Sequence, residues 1–182
     1  MPMHNHPHTA TMPEPWVLRA SHRVAPGSCV IDLACGSGRN GRWFLANEHP
    51  VVFVDRDVAG VADLSRTPAA TVVEADLEAA GFAPETVLPP RTFGGVVVVN
   101  YLWRPLLPSI VAAVAPGGVL VYQTFAAGNQ RFGKPSNPDF LLDSGELLEA
   151  VRGQLEVLGY EHGEGLTERP AVVQRIVARR PR

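Results

Sequence analysis

The sequence predicts an α/β fold in which a mostly parallel sheet of seven strands is covered by helices on both faces and ends in an antiparallel hairpin. Three observations support this prediction. Apolar, β-branched runs alternate with helix-forming segments along most of the chain. The first run leads into a glycine-rich turn. The last two runs are separated by about ten residues, which is too short for a helical crossover and therefore favours a hairpin.

Seven apolar runs are predicted to be strands, at 29–34, 51–55, 71–75, 94–100, 119–125, 155–160 and 171–179. The first five are apolar on both faces, as is typical of a parallel sheet buried between two helical layers. Helices are predicted at 15–24, 38–48, 57–66, 105–115 and 143–152. We expect Pro116-Gly117-Gly118 to end the fourth helix and Asp143 or Ser144 to cap the fifth.

The length of 182 residues suits one domain with a full core, which we place at residues 14–182. Residues 1–13 are predicted to be a disordered tail, because they contain several prolines and few large apolar side chains. His4, His6 and His8 alternate in that tail, a pattern that can bind a metal. We interpret them as part of a polar tail and predict no metal site.

Composition excludes several classes of protein. No apolar run reaches the roughly 18 to 20 residues of a membrane span, and the N-terminus lacks the apolar segment of a secretory signal. Two cysteines, Cys29 and Cys35, provide no disulfide framework, so we expect a cytoplasmic protein. The net charge of −2 argues against a large basic surface for nucleic acid, although arginines at 179–182 form a small basic patch. The oligomeric state is not indicated.

The most informative stretch is VIDLACGSGRNG, at residues 30–41. It contains Gly36, Gly38 and Gly41 in the spacing G-x-G-x-x-G, directly after the first predicted strand. Glycines allow the backbone to turn sharply and to approach a ligand closely. The next helix directs its positive N-terminal end toward the same place. The loop alone is compatible with the pyrophosphate of a dinucleotide.

Asp32 argues against a pyrophosphate, because it lies four residues before Gly36. Two like charges at roughly 5 Å repel by about 3 kcal/mol at an effective dielectric of about 20. A ligand that carries an amino-acid ammonium would instead pair with the carboxylate, directly or through water. S-adenosylmethionine carries such an ammonium and also a sulfonium, so Asp32 favours that cofactor.

The stretch V-I-D-L-A-C-G-S-G-R-N resembles motif I of the class I S-adenosylmethionine-dependent methyltransferases, whose pattern is acid-x-x-x-Gly-x-Gly. The resemblance extends from about residue 15 to the end and implies a Rossmann-like three-layer sandwich. It also implies S-adenosylmethionine as cofactor and S-adenosylhomocysteine as product. Among members of the family, the chain is most similar to small bacterial methyltransferases, including those of the tellurite-resistance type.

Acidic residues after the next two strands extend the predicted cofactor site. Asp55 can accept both ribose hydroxyls, although it also suits a nicotinamide site or a helix cap, and Arg56 can lie against the adenine face. The resemblance implies that Asp76 binds the adenine amino group, that Leu77 donates its backbone N–H, and that Asn100 lies beside the transferable methyl. From the glycine loop, the predicted cofactor residues are Asp32, Ala34, Cys35, Gly36, Gly38 and Asn40. We interpret Cys35 as a small residue under the cofactor, not as a reactive thiol.

Two segments are predicted to face the methyl acceptor. In the first, at 100–105, Tyr101 and Arg104 are candidate catalytic residues and Trp103 is a candidate substrate contact. This segment lacks the Asn/Asp-Pro-Pro-aromatic signature of enzymes that methylate adenine or glutamine nitrogens. The second, at 126–140, is long for a connection in an α/β fold and supplies Arg131 and Lys134 for an anionic acceptor. His22 is a third catalytic candidate, as a base, although its position before the first strand favours a surface histidine.

The function predicted is methyl transfer to a small, soluble acceptor, and an anion is one candidate for that acceptor. An RNA acceptor, tRNA or rRNA, is an alternative that the acidic balance disfavours. A second alternative is a protein that binds the cofactor without transferring its methyl group. A nicotinamide reductase is a more distant alternative.

Overall fold

The computed structural model describes residues 12–182. Seven strands form one sheet, namely β1 (Val30–Leu33), β2 (Val51–Asp55), β3 (Ala70–Glu74), β4 (Phe93–Val99), β5 (Val114–Phe125), β6 (Glu156–Glu164) and β7 (Val172–Arg179). Their order is β3-β2-β1-β4-β5-β7-β6. Strands β1 to β5 are parallel, and β7 runs antiparallel to both β5 and β6. The predicted fold class is therefore confirmed.

Helices cover both faces of the sheet, so the fold has three layers. Strand residues alternate between two cores, as β4 shows: Val97 belongs to one core, and Val96 and Val98 belong to the other. The first core packs under α1 (Pro15–Ala20), α2 (Arg39–Ala46) and the 3-10 helix Val58–Arg66. The second packs under α3 (Leu107–Ala113) and α4 (Glu146–Val151).

The helices are shorter than predicted, and one is of a different type. Residues 58–66 form a 3-10 helix, and the predicted helix at 105–115 divides into a 3-10 turn, Arg104–Leu106, followed by α3. The prediction that Pro116-Gly117-Gly118 ends this helix was wrong, because β5 already begins at Val114. Val114 pairs with Phe93 of β4, and a register shift follows between Phe93 and Gly95. Gly118 lies inside this irregular pairing, where a Cβ would be 2.8 Å from the Phe93 carbonyl oxygen.

The predicted cap of α4 was also wrong. Neither Asp143 nor Ser144 caps the helix, since Gly145 occupies the N-cap position in the left-handed conformation. The Glu146 N–H is satisfied locally, by the Asp143 carbonyl oxygen at 3.1 Å. The Leu147 N–H is satisfied by a distant strand, since Oε1 of Gln174, on β7, accepts its hydrogen bond at 3.3 Å. Tertiary structure thus supplies part of the capping that a local side chain was expected to provide.

The predicted N-terminal tail and the possibility of a membrane-spanning helix can both be compared with the described residues. The predicted tail lies mostly outside the described residues, as do His4, His6 and His8, while Met12 and Pro13 are described. Within 12–182, no helix combines the length and apolar character needed to cross a membrane.

Candidate functional site

The glycine loop connects β1 to α2 at the carboxyl edge of the sheet. Gly38 has a φ of +70°, and a Cβ there would lie 2.6 Å from Val61 Cγ1. At Gly41 a Cβ would lie 2.4 Å from Phe53 Cε1 and 3.0 Å from the Asp32 carboxylate. The loop is therefore pressed against β2 and the 3-10 helix 58–66, and only glycine fits at these two positions.

Asp32 lies under this loop and does not line a cavity. Its side chain is 1 % exposed, and Oδ2 accepts a hydrogen bond from the backbone N–H of Gly41 at 2.7 Å. Burial raises the pKa of Asp32 to about 7, although the Gly41 hydrogen bond and Arg39 lower it. The sequence left open whether the Asp32 carboxylate pairs with an ammonium directly or through water. In the structure the carboxylate lines neither cavity and anchors the first turn of α2.

Two further residues of the predicted set are also enclosed by protein. Burial raises the pKa of the Cys35 thiol to about 12, so it stays protonated near neutral pH, in agreement with its interpretation as a small loop residue. Asn40 is 5 % exposed, and its Oδ1 accepts a hydrogen bond from the Glu14 N–H at 2.9 Å. Asn40 thus fastens the segment before α1 to the start of α2.

Asp55 connects the glycine loop to a first cavity of about 500 Å³. Its carboxylate accepts hydrogen bonds from the N–H of Gly36 at 2.8 Å and of Asp57 at 3.0 Å. The structure brings six of the predicted cofactor residues together around this cavity: Ala34, Asp55, Arg56, Asp76, Leu77 and Asn100. They come from the ends of four neighbouring parallel strands, which meet at one edge of the sheet.

A second cavity of about 1170 Å³ adjoins the first and shares Asn100 and Phe125 with it. Its wall includes four cationic side chains, those of Arg39, Arg131, Lys134 and Arg169. Arg39 pairs with Glu14 at 2.9 Å, and Arg131 pairs with Glu164. Lys134 and Arg169 form no ion pair with any residue in the range 12–182. Glu168 also lines this cavity without an ion pair in the same range, so two positive charges and one negative charge remain to meet a ligand there.

No family model matches the chain. Among curated proteins it is similar to the trans-aconitate 2-methyltransferase of Paracidovorax citrulli, with 34% identity over 112 residues, which are 58% of this chain and 42% of that protein. The protein of the same name from Variovorax paradoxus is 36% identical over 102 residues, 52% of this chain and 37% of that one. The chain spans about two-fifths of the length of these curated relatives.

Solved structures resemble the chain over nearly its whole length. TehB from Haemophilus influenzae superposes with a TM-score of 0.68 at 21% identity, covering 90% of this chain and 61% of TehB. The 1,6-didemethyltoxoflavin-N1-methyltransferase of Burkholderia thailandensis, solved with its substrate and S-adenosylhomocysteine, gives 0.68 at 18%, covering 92% and 77%. The [4+2]-cyclase SpnF gives 0.67 at 16%, covering 91% and 79%.

The chain has the class I S-adenosylmethionine-dependent methyltransferase fold. In this fold the first cavity follows the carboxyl ends of β1 to β4, and the second lies toward β5 and the long loop after it. Six of the eleven residues that the sequence assigned to a cofactor therefore lie around one cavity, and Arg131 and Lys134 lie around the other. The remaining five line neither cavity, namely Asp32, Cys35, Gly36, Gly38 and Asn40.

Tyr101, predicted to be catalytic, lies in the first cavity of the methyltransferase fold. Burial raises the pKa of its phenol, and the carboxylate of Glu78 raises it further. The hydroxyl is buried and has no hydrogen-bond partner among the described residues. Tyr101 is therefore a neutral hydrogen-bonding group and not a base.

Three of the residues predicted for catalysis or substrate binding lie outside both cavities of this fold. Arg104 binds the Glu146 carboxylate at 2.7 and 2.9 Å and donates to the carbonyls of Asp139 and Leu141, each at 2.8 Å. It therefore ties the end of the long loop to α4, a structural role in place of the catalytic one expected. His22 is exposed on a 3-10 turn, and Trp103 packs against the second core.

Other cavity residues were missed from sequence, chiefly those at the end of β5. Thr124 and Phe125 line the first cavity, Gln123 lines the second, and Arg39 and Arg169 add charge there. The signal for the β5 residues was available, since polar side chains that end a parallel strand lie at the ligand edge. Arg169 gave no such signal, because only the fold of the β6–β7 connection brings it to the cavity.

Proposed function

We propose that this protein is an S-adenosylmethionine-dependent methyltransferase whose acceptor is a small, soluble organic anion. The observation that carries the proposal is the pair of adjoining cavities that share Asn100 and Phe125. One is lined by carboxylates at the positions that the resemblance assigns to the cofactor. The other holds Lys134 and Arg169, which form no ion pair within the described part of the chain.

The first cavity fits the adenosine portion of the cofactor. Asp55 would accept the ribose hydroxyls, since its two hydrogen bonds to backbone N–H groups leave carboxylate lone pairs unused. Asp76 would accept from the adenine amino group. The Leu77 N–H donates to no residue in the described part of the chain, so it is free to bind the ring. When bound, S-adenosylmethionine supplies a methyl group on a sulfonium centre.

The acceptor class follows from charge and from the curated relatives. Trans-aconitate, the compound in the names of both relatives, is an organic carboxylate, and Lys134 and Arg169 would bind a carboxylate. No histidine is present among the described residues that line either cavity, and Tyr101 is a neutral phenol. An acceptor that is already ionised near neutral pH needs no base. The chain would then act by alignment in a partly enclosed site.

The RNA alternative has less support from the described surface. Arg180 donates to the carbonyls of Val111 and Val114, and Arg131 pairs with Glu164, so both are committed within the protein. We also propose the cytoplasm as its location, since Cys29 and Cys35 are free thiols.

A second candidate function is cofactor binding without methyl transfer. The [4+2]-cyclase SpnF has the same fold, so the fold by itself does not require methyl transfer. Turnover separates the two candidates, because only the methyltransferase would convert S-adenosylmethionine to S-adenosylhomocysteine in the presence of an acceptor.

The test has two stages. Isothermal titration should show binding of S-adenosylmethionine and S-adenosylhomocysteine and no binding of a nicotinamide dinucleotide. Methyl-tritiated S-adenosylmethionine is then incubated with the protein and with either trans-aconitate, a carboxylate-enriched extract fraction or total RNA. Label in the carboxylates supports the proposal. Dinucleotide binding with no adenosyl ligand bound would refute it, and label in RNA alone would replace the acceptor class.

A further inference from the structure

Gln123 stands out among the buried amides of the described chain. It lies on β5, is 1 % exposed and lines the second cavity, yet neither its Oε1 nor its Nε2 has a hydrogen-bond partner among residues 12–182. The other buried amides are bonded: Asn40 accepts from Glu14, Asn129 bonds Pro135 and Val172, and Gln174 bonds Leu147, Tyr160 and Asp143. A buried amide without a partner is costly, which makes Gln123 a residue that a ligand would satisfy.

The position of Gln123 is close to the junction of the two cavities. Its backbone carbonyl accepts a hydrogen bond from the Asn100 N–H at 2.9 Å, and Asn100 lines both cavities. The neighbouring Phe125 also lines both. An acceptor in the second cavity must present its methyl-receiving atom near this junction, so the Gln123 amide lies where the orientation of the acceptor matters most.

Different residues of this cavity supply the positive charge that attracts an anionic acceptor and the hydrogen bond that orients it. Lys134 and Arg169 are exposed residues outside the strands and helices, 134 in the long loop and 169 in the β6–β7 connection. Long cationic side chains there attract an anion without fixing its angle. Gln123 is on a strand in the centre of the sheet, with β4 on one side and β7 on the other. A rigid strand positions a hydrogen bond more accurately than a loop does.

We propose, on the basis of the function proposed above, that Gln123 is a positioning residue that donates its amide N–H to a carboxylate oxygen of the acceptor. Rotation about the terminal bond of the side chain exchanges the amide oxygen and nitrogen, so the N–H group can face the cavity. The carboxylate is held by this bond while Lys134 and Arg169 neutralise its charge. Its unbound oxygen lone pair forms the new bond to the methyl carbon as the carbon–sulfur bond breaks and the electron pair leaves with sulfur.

The experiment compares Gln123→Leu and Gln123→Glu with the wild type and with Gln174→Leu, a buried and fully bonded amide outside both cavities. Each protein is titrated with S-adenosylhomocysteine, melted, and assayed with tritiated S-adenosylmethionine and three probes: trans-aconitate, cis-aconitate and citrate. For Gln123→Leu we expect unchanged S-adenosylhomocysteine affinity, an unchanged or higher Tm, and kcat/KM for the methylated probe lower by about 10- to 100-fold. For Gln123→Glu we expect a larger rise in the KM of the probe, because the new carboxylate repels it. Gln174→Leu should lower Tm.

Several results would overturn the proposal. Full turnover by Gln123→Leu would show that the amide does not hold the acceptor. A parallel fall in Tm and in S-adenosylhomocysteine affinity would assign it a purely structural role. If the wild type binds S-adenosylmethionine but methylates none of the three probes, the proposed contact between Gln123 and a carboxylate acceptor is refuted, whereas cofactor binding is still supported. A wild type that binds no adenosyl ligand would refute the proposed function itself.

Discussion

The Asp32 carboxylate accepts a hydrogen bond from the backbone N–H of Gly41 at 2.7 Å, beneath the glycine loop. Nine residues separate the pair, and the bond closes the turn between β1 and α2 around a fully buried acid. The observed partner of Asp32 is therefore a backbone N–H of its own loop, whereas the sequence had suggested a ligand ammonium. Asp32 identifies the loop correctly, but it acts on the backbone that surrounds a ligand.

Replacement of Asp32 separates this anchoring role from direct pairing with a ligand ammonium. At pH 6, Asp32→Ala should lower the free energy of unfolding by about 1–3 kcal/mol, because the Gly41 N–H loses its acceptor. S-adenosylhomocysteine affinity should fall with it. Asp32→Asn keeps an acceptor oxygen and should retain most of both quantities in urea unfolding and calorimetry. If Asp32→Asn binds S-adenosylhomocysteine as poorly as Asp32→Ala does, the result would support direct pairing of Asp32 with the ammonium and contradict the anchoring role.

The buried Asp32 also predicts a pH dependence. Its pKa is about 7 in the folded protein, above the ordinary value of 3.8, so folding favours the protonated carboxyl. This contribution to stability is fully present below pH 3.8 and is lost as the pH rises through 7. The wild type should therefore lose stability relative to Asp32→Asn between about pH 4 and 7. Urea unfolding of both proteins at four pH values tests this, and a constant difference would contradict it.

Gly60 should control the shape of the glycine loop from a distance. A Cβ at this position would lie 2.6 Å from the Gly36 carbonyl oxygen and 3.0 Å from the Ser37 Cα, and neither backbone atom can rotate away. We expect Gly60→Ala to cost about 1–3 kcal/mol of stability and to weaken S-adenosylhomocysteine binding. Gly159→Ala is the matched control, because its Cβ would meet Trp16 at an ordinary 3.6 Å. Equal affinities for the two variants would argue against this constraint.

Asp55 should be the most sensitive carboxylate of the first cavity. Asp55→Ala removes the acceptor for the Gly36 and Asp57 N–H groups and the proposed partner of the ribose. A loss of about 1.5–3 kcal/mol for hydrogen bonds to a charged group corresponds to roughly 10- to 150-fold weaker S-adenosylhomocysteine binding. Asp57→Asn, an exposed neighbour whose carboxylate accepts from the Ala59 N–H, is the control. Calorimetry that finds the two variants equal would contradict the assignment of Asp55.

The free cations of the second cavity should act on the acceptor alone. Lys134→Gln and Arg169→Gln should each raise the KM of a carboxylate acceptor by about 5-fold, equivalent to about 1 kcal/mol for a solvent-exposed charge pair. The KM of S-adenosylmethionine should not change, and added salt should reduce the difference from the wild type. Arg66→Gln removes an exposed charge elsewhere and controls for net charge. Equal effects on both substrates would place these cations in a structural role.

The sequence by itself determined the sheet and the edge of the sheet at which the first cavity lies. Long β-branched runs such as 94–100 indicate a strand whose two faces are both buried. This pattern can be recognised from consecutive residues alone. Asp55 and Asp76 both line the first cavity because they follow such runs, and the ends of parallel strands converge.

Tertiary structure alone decided where the remaining side chains act. Arg104 binds Glu146, 42 positions away, and Asn40 binds Glu14, 26 positions away. Neither partnership leaves a local pattern, so sequence reasoning assigned both residues to a site. The hydrogen bond of Asp32 to the Gly41 N–H and the absence of a described partner for the Gln123 amide likewise depend on how distant segments pack, and no local pattern indicates either of them. Hydrophobic periodicity specifies which residues are buried, whereas the hydrogen bonds of a buried polar group depend on distant segments that only the folded chain brings within 3 Å.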